Sequence, residues 1–252
     1  MKYFVEKDSI VRDIWGKSDT VLFIFAGAAA EFALNKAVDW LYFTGRLPTD
    51  PLNRLFSTVS YARRIIFSEN EHALKTIDSI YNIHKVVEHN RGESIPDWAY
   101  RDVLYMLIHY SIASYEVLER KLSMPEKEEV YDVFYRFGAR MKLKSLSANY
   151  SNWLIQRELD MENDLEKSKY TLDLFKQYKK HLGPIRYFVL IEGQKLIIPE
   201  KVRQLLGFSK ISMLTFIILF YKLSRHIKLD VVVKKLLLPK KYEKEIKEID
   251  MK

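Results

Sequence analysis

The chain has 252 residues, 48% of them hydrophobic and 13% aromatic, which is enough to bury a substantial core. The absence of cysteine excludes disulfides and thiolate-bound metals and fits a reducing cytoplasm. The formal charge of +8 arises from 41 basic residues interleaved with 33 acidic ones; this reads as a solvated helical surface, and without a zinc-finger, RNP-like or helix-turn-helix signature nothing points to nucleic acid.

Eight glycines and seven prolines are few for this length and argue for long helices, so the expected class is all-α. Residues 1–15 read as a short amphipathic helix without the apolar run of a signal peptide, in keeping with a cytoplasmic protein. Gly16-Lys17-Ser18-Asp19 then offers a cap for a long helix that runs to the loop Gly45–Thr49. Thr20–Ala30 is apolar or small throughout, but Glu31, Lys36 and Asp39 arrive before the ~20 apolar residues that a bilayer span needs, which predicts a buried core helix. In it, Gly27-Ala28-Ala29-Ala30 has so little side chain that either a neighbouring helix or a flat ligand can approach the backbone.

The stretch from Asp50 to Glu116 carries most of the functional signal. Asp50-Pro51 reads as a cap followed by proline at the first helical position. Arg54, Thr58, Tyr61 and Ile65 share one stripe of the helix that follows, beside an apolar stripe of Leu52, Leu55, Phe56, Val59, Ala62 and Ile66. A buried Arg54 needs an anionic partner, either an acid such as Asp50 or Glu116 or an anionic ligand. Thr58 either donates into the same pocket or bonds its own helix. Ser68 with Glu71 has capping-box spacing for the next helix, whose face of Leu74, Ile77, Tyr81 and Val87 includes His84. A histidine on an apolar face is either a core residue bonded to a carbonyl or an uncharged imidazole ready to ligate a metal. After the loop Gly92–Pro96, a helix from about Asp97 to Glu119 contains Val103–Tyr110, apolar nearly all round, with His109 inside it as the second candidate. The short loops allow antiparallel packing, so Arg54, His84 and His109 can converge. His72, His89, His181 and His226 lie in polar surroundings and read as surface residues.

Pro125-Glu126 starts a helix to about Met141, and Tyr150–His181 reads as one charged helix broken by Gly183-Pro184. Ile185–Ile198 fits a strand or a buried helical segment, and Pro199 and Gly207 bracket a short helix. Ile211–Tyr221 is apolar but too short for a span. With the lysines that follow, it could lie on an anionic membrane surface. Val231–Val233 and Leu236–Leu238 are core fillers, however, so residues 210–252 read as a helical extension that closes the core. With no repeat or linker, residues 1–252 are expected to form a single domain.

Arg54-x-x-x-Thr58 after Asp50-Pro51, then Ile83-His84-x-x-Val87, then Leu107-Ile108-His109 resembles the family of latex clearing proteins, rubber oxygenases and the fungal mycophenolate-pathway oxygenase. The resemblance extends upstream through Gly16-Lys17-Ser18 and Leu22–Ala30 and downstream to about Gly207. It implies an all-α fold with a globin-like core that binds haem b, with His84 as the iron ligand, His109 as alternative ligand or pocket residue, and Arg54 and Thr58 lining the side where O2 binds. It further implies oxidative attack by O2 on an alkene of an apolar, isoprenoid or lipid-like substrate. A non-catalytic helical protein that binds haem or an apolar ligand is the alternative. Ser57 stands where the latex clearing proteins carry a lysine, so distal lysine chemistry is unavailable. Rubber itself is therefore not the expected substrate.

Overall fold

The apolar periodicities become helices almost everywhere. In a computed structural model, which describes residues 2–45 and 50–225 apart from the side chains of residues 51–56, 219 and 223–225, there is no strand beyond two isolated bridges. The helices among the described residues are α1 (Ile10–Trp15), α2 (Ser18–Phe32), α3 (Val38–Phe43), α4 (Pro51–Ile66), α5 (Asn70–Arg91), α6 (Asp97–Leu118), α7 (Met124–Arg140), α8 (Tyr150–Asp164), α9 (Lys169–Ile197), α10 (Glu200–Leu206) and α11 (Leu214–Arg225). The chain is therefore all-α, as expected. The core runs through α2, α6 and α7, with α1, α4, α5 and α9 packed round it.

Two element boundaries at the N-terminal end differ from the sequence reading, for one reason. Residues 2–8 are not helical; α1 starts at Ile10, where Ser9 Oγ accepts the Val11 N–H at 3.1 Å. The segment ahead of it runs beside the start of α5. Tyr3 bridges Glu69, and the Lys2 carbonyl accepts the Asn70 N–H at 2.9 Å. A neighbouring backbone thus satisfies one of the donors that open α5. Ser68 and Glu71 consequently form no capping box, and the helix begins at Asn70.

Two helices expected to be continuous are broken at a shared place. The long helix after Gly16 ends at Phe32 and resumes at Val38; the one after Tyr150 ends at Asp164 and resumes at Lys169. The two gaps hydrogen-bond to each other: Lys36 N–H donates to the Asp164 carbonyl at 2.9 Å, and Glu166 N–H to the Leu34 carbonyl at 2.7 Å. Asn35, buried between them, accepts the Ala37 N–H at 2.9 Å and donates to Asp102 at 2.8 Å. These bonds replace the helical ones lost at each gap. The uncertain segment Ile185–Ile198 is helical and continues α9 past a kink at Gly183, whose φ of 74° is left-handed and whose neighbour Pro184 lacks an N–H.

The strongest packing joins α2 to α6. A Cβ built on Gly27 would lie 2.2 Å from the Tyr110 ring and 2.8 Å from Ile197. Tyr110 cannot retreat, because its hydroxyl donates to Glu31 Oε2 at 2.8 Å and the same oxygen accepts Arg157 Nη2 from α8 at 2.5 Å. Glu31 and Arg157 are fully buried. α11 rests on α9 through Ser212, which donates to the Glu192 carbonyl at 2.8 Å, and its outer side is apolar, with Phe216 73% and Phe220 70% exposed. Residues 226–252 of the expected extension lie outside the described residues. Gly27→Ala should keep the helical fold but lose about 1–3 kcal/mol of stability through overpacking against Tyr110, read as a lower urea midpoint with unchanged slope.

Candidate active site: an apolar cavity with a histidine in its wall

The helices line a partly open cavity of ≈560 Å³, within the range of small-molecule and cofactor sites. α2 lines it with Leu22, Phe23, Ala26 and Ala29; α4 with Thr58, Tyr61 and Ile65; α5 with Ile80, Ile83 and His84. α6 adds Tyr100, Val103 and Leu107, and the C-terminal half of α9 adds Arg186, Val189, Leu190 and Gly193. α11 covers one side with Leu214, Ile217, Ile218 and Tyr221, whose hydroxyl donates to Asp19 Oδ2 at 3.0 Å. The wall is thus mostly aliphatic and aromatic, with Asp19, Thr58, His84 and Arg186 as its polar points.

The structure brings His84 and Thr58 to this one cavity. Thr58, Tyr61 and Ile65 line it together, so the predicted stripe of α4 faces inward; the Arg54 side chain lies outside the described residues. Ser57 is exposed. His109 does not line the cavity: its Nε2 lies 3.3 Å from the Ile197 carbonyl, and its ring packs edge to face on Tyr110 at 4.9 Å. Burial, reinforced by the charge of Arg157, lowers its pKa to about 4, so it is a neutral donor to that carbonyl. Gly27 also lies off the cavity, since Tyr110 occupies the space beside it. Of the two uses open to the small-residue stretch, tight helix packing is the one at Gly27, while its neighbours Ala26 and Ala29 face the cavity. His72 and His89 are exposed and His181 is part-buried.

Sequence reasoning missed Tyr100, Arg186, Asp19 and Tyr221. They come from four helices, and no local spacing signals that they meet. The donor set does not suit a bare metal ion, which takes three or more protein ligands. His84 is the one histidine among the described lining residues. A flat macrocycle that brings its own metal nitrogens needs only such an imidazole, apolar walls and a cation for its acidic groups. Those features are present, with Arg186 as the cation.

A second polar cluster lies between α6 and α8. Asp102, Asp160 and Asp164 bring carboxylate oxygens within 4.8 Å of one another. Arg101 clamps Asp160 at 2.9 and 3.2 Å, and Gln156 donates to the same carboxylate at 2.7 Å. Asp102 is buried, and its Oδ1 has no hydrogen-bond partner among the described residues. Burial raises its pKa to about 7; Asp164 and Asp160 push the same way, against the Asn35 hydrogen bond and Arg157.

An all-α scaffold round a large apolar cavity, with His84 as the one histidine among its described lining residues, defines a helical protein with a small-molecule-sized site. The chain belongs to the family described as ER-bound oxygenase mpaB/B'/rubber oxygenase, catalytic domain, which matches residues 15–210. No curated protein matches it. This makes it a member of an oxygenase family, whose reactions join O2 to a small-molecule substrate. The match stops before α11, although α11 forms part of the cavity wall. No helix among the described residues is long and apolar enough to cross a membrane.

The Asp102 carboxyl gives a pH signature. Its folded-state pKa of about 7 lies above the unfolded value near 4, so between these values the folded state holds the extra proton and stability falls as pH rises. Asp102→Asn keeps the acceptor for Asn35 and cannot ionise. It should flatten this dependence and raise stability at pH 8, relative to pH 5, by on the order of 2 kcal/mol. Urea denaturation at the two pH values measures the difference.

Proposed function

We propose that the protein is a haem b-dependent oxygenase that uses O2 to attack an alkene in an apolar, isoprenoid or lipid-like substrate. The observation that carries this reading is His84 in the wall of a ≈560 Å³ apolar cavity in a member of this family. Haem b, when bound, supplies the oxygen chemistry that protein side chains lack. His84 would hold the iron through a neutral imidazole nitrogen, and Arg186 would pair with the acidic groups of the macrocycle. Thr58, which lines the cavity, would offer a hydrogen-bond donor to the reacting groups, the role that the family resemblance also implies for Arg54. With Ser57 in place of the lysine, position 57 would offer no amine to the iron. The aliphatic and aromatic walls exclude water and hold the alkene by burial alone, which selects for apolarity and size rather than for a polar group.

Protein produced with haem supplied should show a Soret band at one haem per chain. His84→Ala should abolish or greatly weaken the band, and His72→Ala should leave it intact. A colourless protein, or a band that survives in His84→Ala, would refute the assignment. Thr58→Ala should retain the band while substrate-dependent O2 uptake falls about tenfold, the worth of one hydrogen bond at the reacting centre. O2 uptake that never depends on an added polyisoprenoid alkene would favour a carrier over an enzyme. The ferric resting state should show no amine ligation by EPR.

A further inference from the structure

The imidazole of His84 has a ring laid beside it. Tyr100, which borders the same cavity, places its ring centroid 5.1 Å from that of His84, with the planes tilted by 35°. The phenol is itself held in place: Tyr100 Oη donates to Glu88 Oε1 at 3.1 Å. Glu88 stands on α5 one turn after His84 and is buried. The same oxygen accepts the Ile95 N–H at 3.0 Å, and its other oxygen accepts Lys85 Nζ at 2.6 Å. The chain of contacts therefore leaves α5 at His84, crosses to α6 through the two rings and returns to α5 through the phenol and the carboxylate.

The charges keep this arrangement in one state. Burial alone would raise the Glu88 carboxyl, but the hydrogen bonds from Lys85, Ile95 and Tyr100 outweigh it and hold it below its usual range. Burial, reinforced by Glu88, raises the Tyr100 phenol well above its ordinary value. Near neutral pH the acceptor is a carboxylate and the donor a protonated phenol, so the bond is charge-assisted. A histidine ring on a helix has a broad, roughly two-fold second torsion, and a neighbouring face removes that freedom. Groups that orient a metal-bound imidazole typically act by hydrogen-bonding its second nitrogen and affect metal affinity strongly. A ring fixed against its face restricts the same rotation.

We propose that Tyr100 is a positioning residue for His84, its ring fixing the plane of the imidazole at the cavity wall while Glu88 fixes Tyr100. The consequence for the cofactor rests on the reading of His84 as its ligand; the positioning itself does not.

The first arm of the test therefore uses the full chain without haem, its histidines carbon-13 labelled, with the His84 NMR signals assigned by their loss in His84→Ala. Removing the neighbouring ring current in Tyr100→Leu should displace the His84 Cε1–H and Cδ2–H resonances, whereas Tyr100→Phe, which keeps the ring but loses its bond to Glu88, should displace them only as far as Glu88→Ala does. Glu88→Ala, which keeps the Tyr100 ring but frees its phenol, should displace them in the same direction by a smaller amount. In the second arm, haem b is titrated into the same variants. Tyr100→Leu should raise the Kd about 10- to 100-fold and alter the ferric EPR g-values, with Tyr100→Phe between it and the unaltered protein. His84 resonances that stay put in both Tyr100→Leu and Glu88→Ala overturn the proposal, whatever haem does. Resonances that move as expected while His84→Ala binds haem as tightly as the unaltered protein uphold the positioning and refute the ligand reading. The Glu88→Ala arm keeps the test decisive if Tyr100→Leu fails to fold.

Discussion

The ion pair between Glu31 and Arg157, buried without solvent and shared with the hydroxyl of Tyr110, is the constraint on which the centre of the protein depends. Removing one partner of such a pair costs about 3–5 kcal/mol, because the other charge is left in a medium that cannot solvate it. Burial alone would lower the pKa of Arg157, yet the nearby carboxylate raises it above the ordinary value, so the guanidinium stays charged. One carboxylate oxygen thereby pins three helices, α2, α6 and α8, at a single point. Tyr110 is held against the backbone of α2, and only glycine fits at position 27.

This pinning matters because the cavity wall is mostly apolar and has few polar bonds to hold its shape. A cavity of ≈560 Å³ leaves many side chains without partners on one face, and such space persists only where the surrounding helices cannot close on it. The paired breaks at residues 33–37 and 165–168, joined through Asn35 and the backbone of Lys36 and Glu166, supply a second fixed point on the same side of α2. Asn35 reaches Asp102 on α6, so both anchors fix the C-terminal end of α2 against α6. The opposite side of the cavity is built differently. There α9 bends at Gly183, and α11 closes over its C-terminal half through Ser212 and the Tyr221 hydrogen bond to Asp19.

The cavity thus has a braced side and a covered side. The braced helices supply much of the apolar wall, whereas the cover belongs to a segment beyond the family match, with an outer side that is itself apolar. The polar points are few and come from different elements: His84 from α5, Thr58 from α4, Arg186 from α9 and Asp19 from α2. In such a low-dielectric space each of them acts with little screening.

Local physics settled much of this in the sequence. The shortage of glycine and proline and the helical stripes determined the all-α class. Pro125 marked the start of α7 to within a residue, and Pro199 with Gly207 bracketed α10, because those residues act on their own backbone. The stripe of Thr58, Tyr61 and Ile65 and the inward face of His84 were legible for the same reason, since a helical period fixes which residues share a face. What the sequence could not carry were effects with distant partners. The breaks near Asn35 and Leu165 require each other, and the start of α5 at Asn70 depends on the carbonyl of Lys2. His109 and His84 look alike on their helices. Only the packing of Ile197 against one and the cavity beside the other separates them, and the meeting of Tyr100 with His84 and Glu88 exists only once α5 and α6 lie side by side.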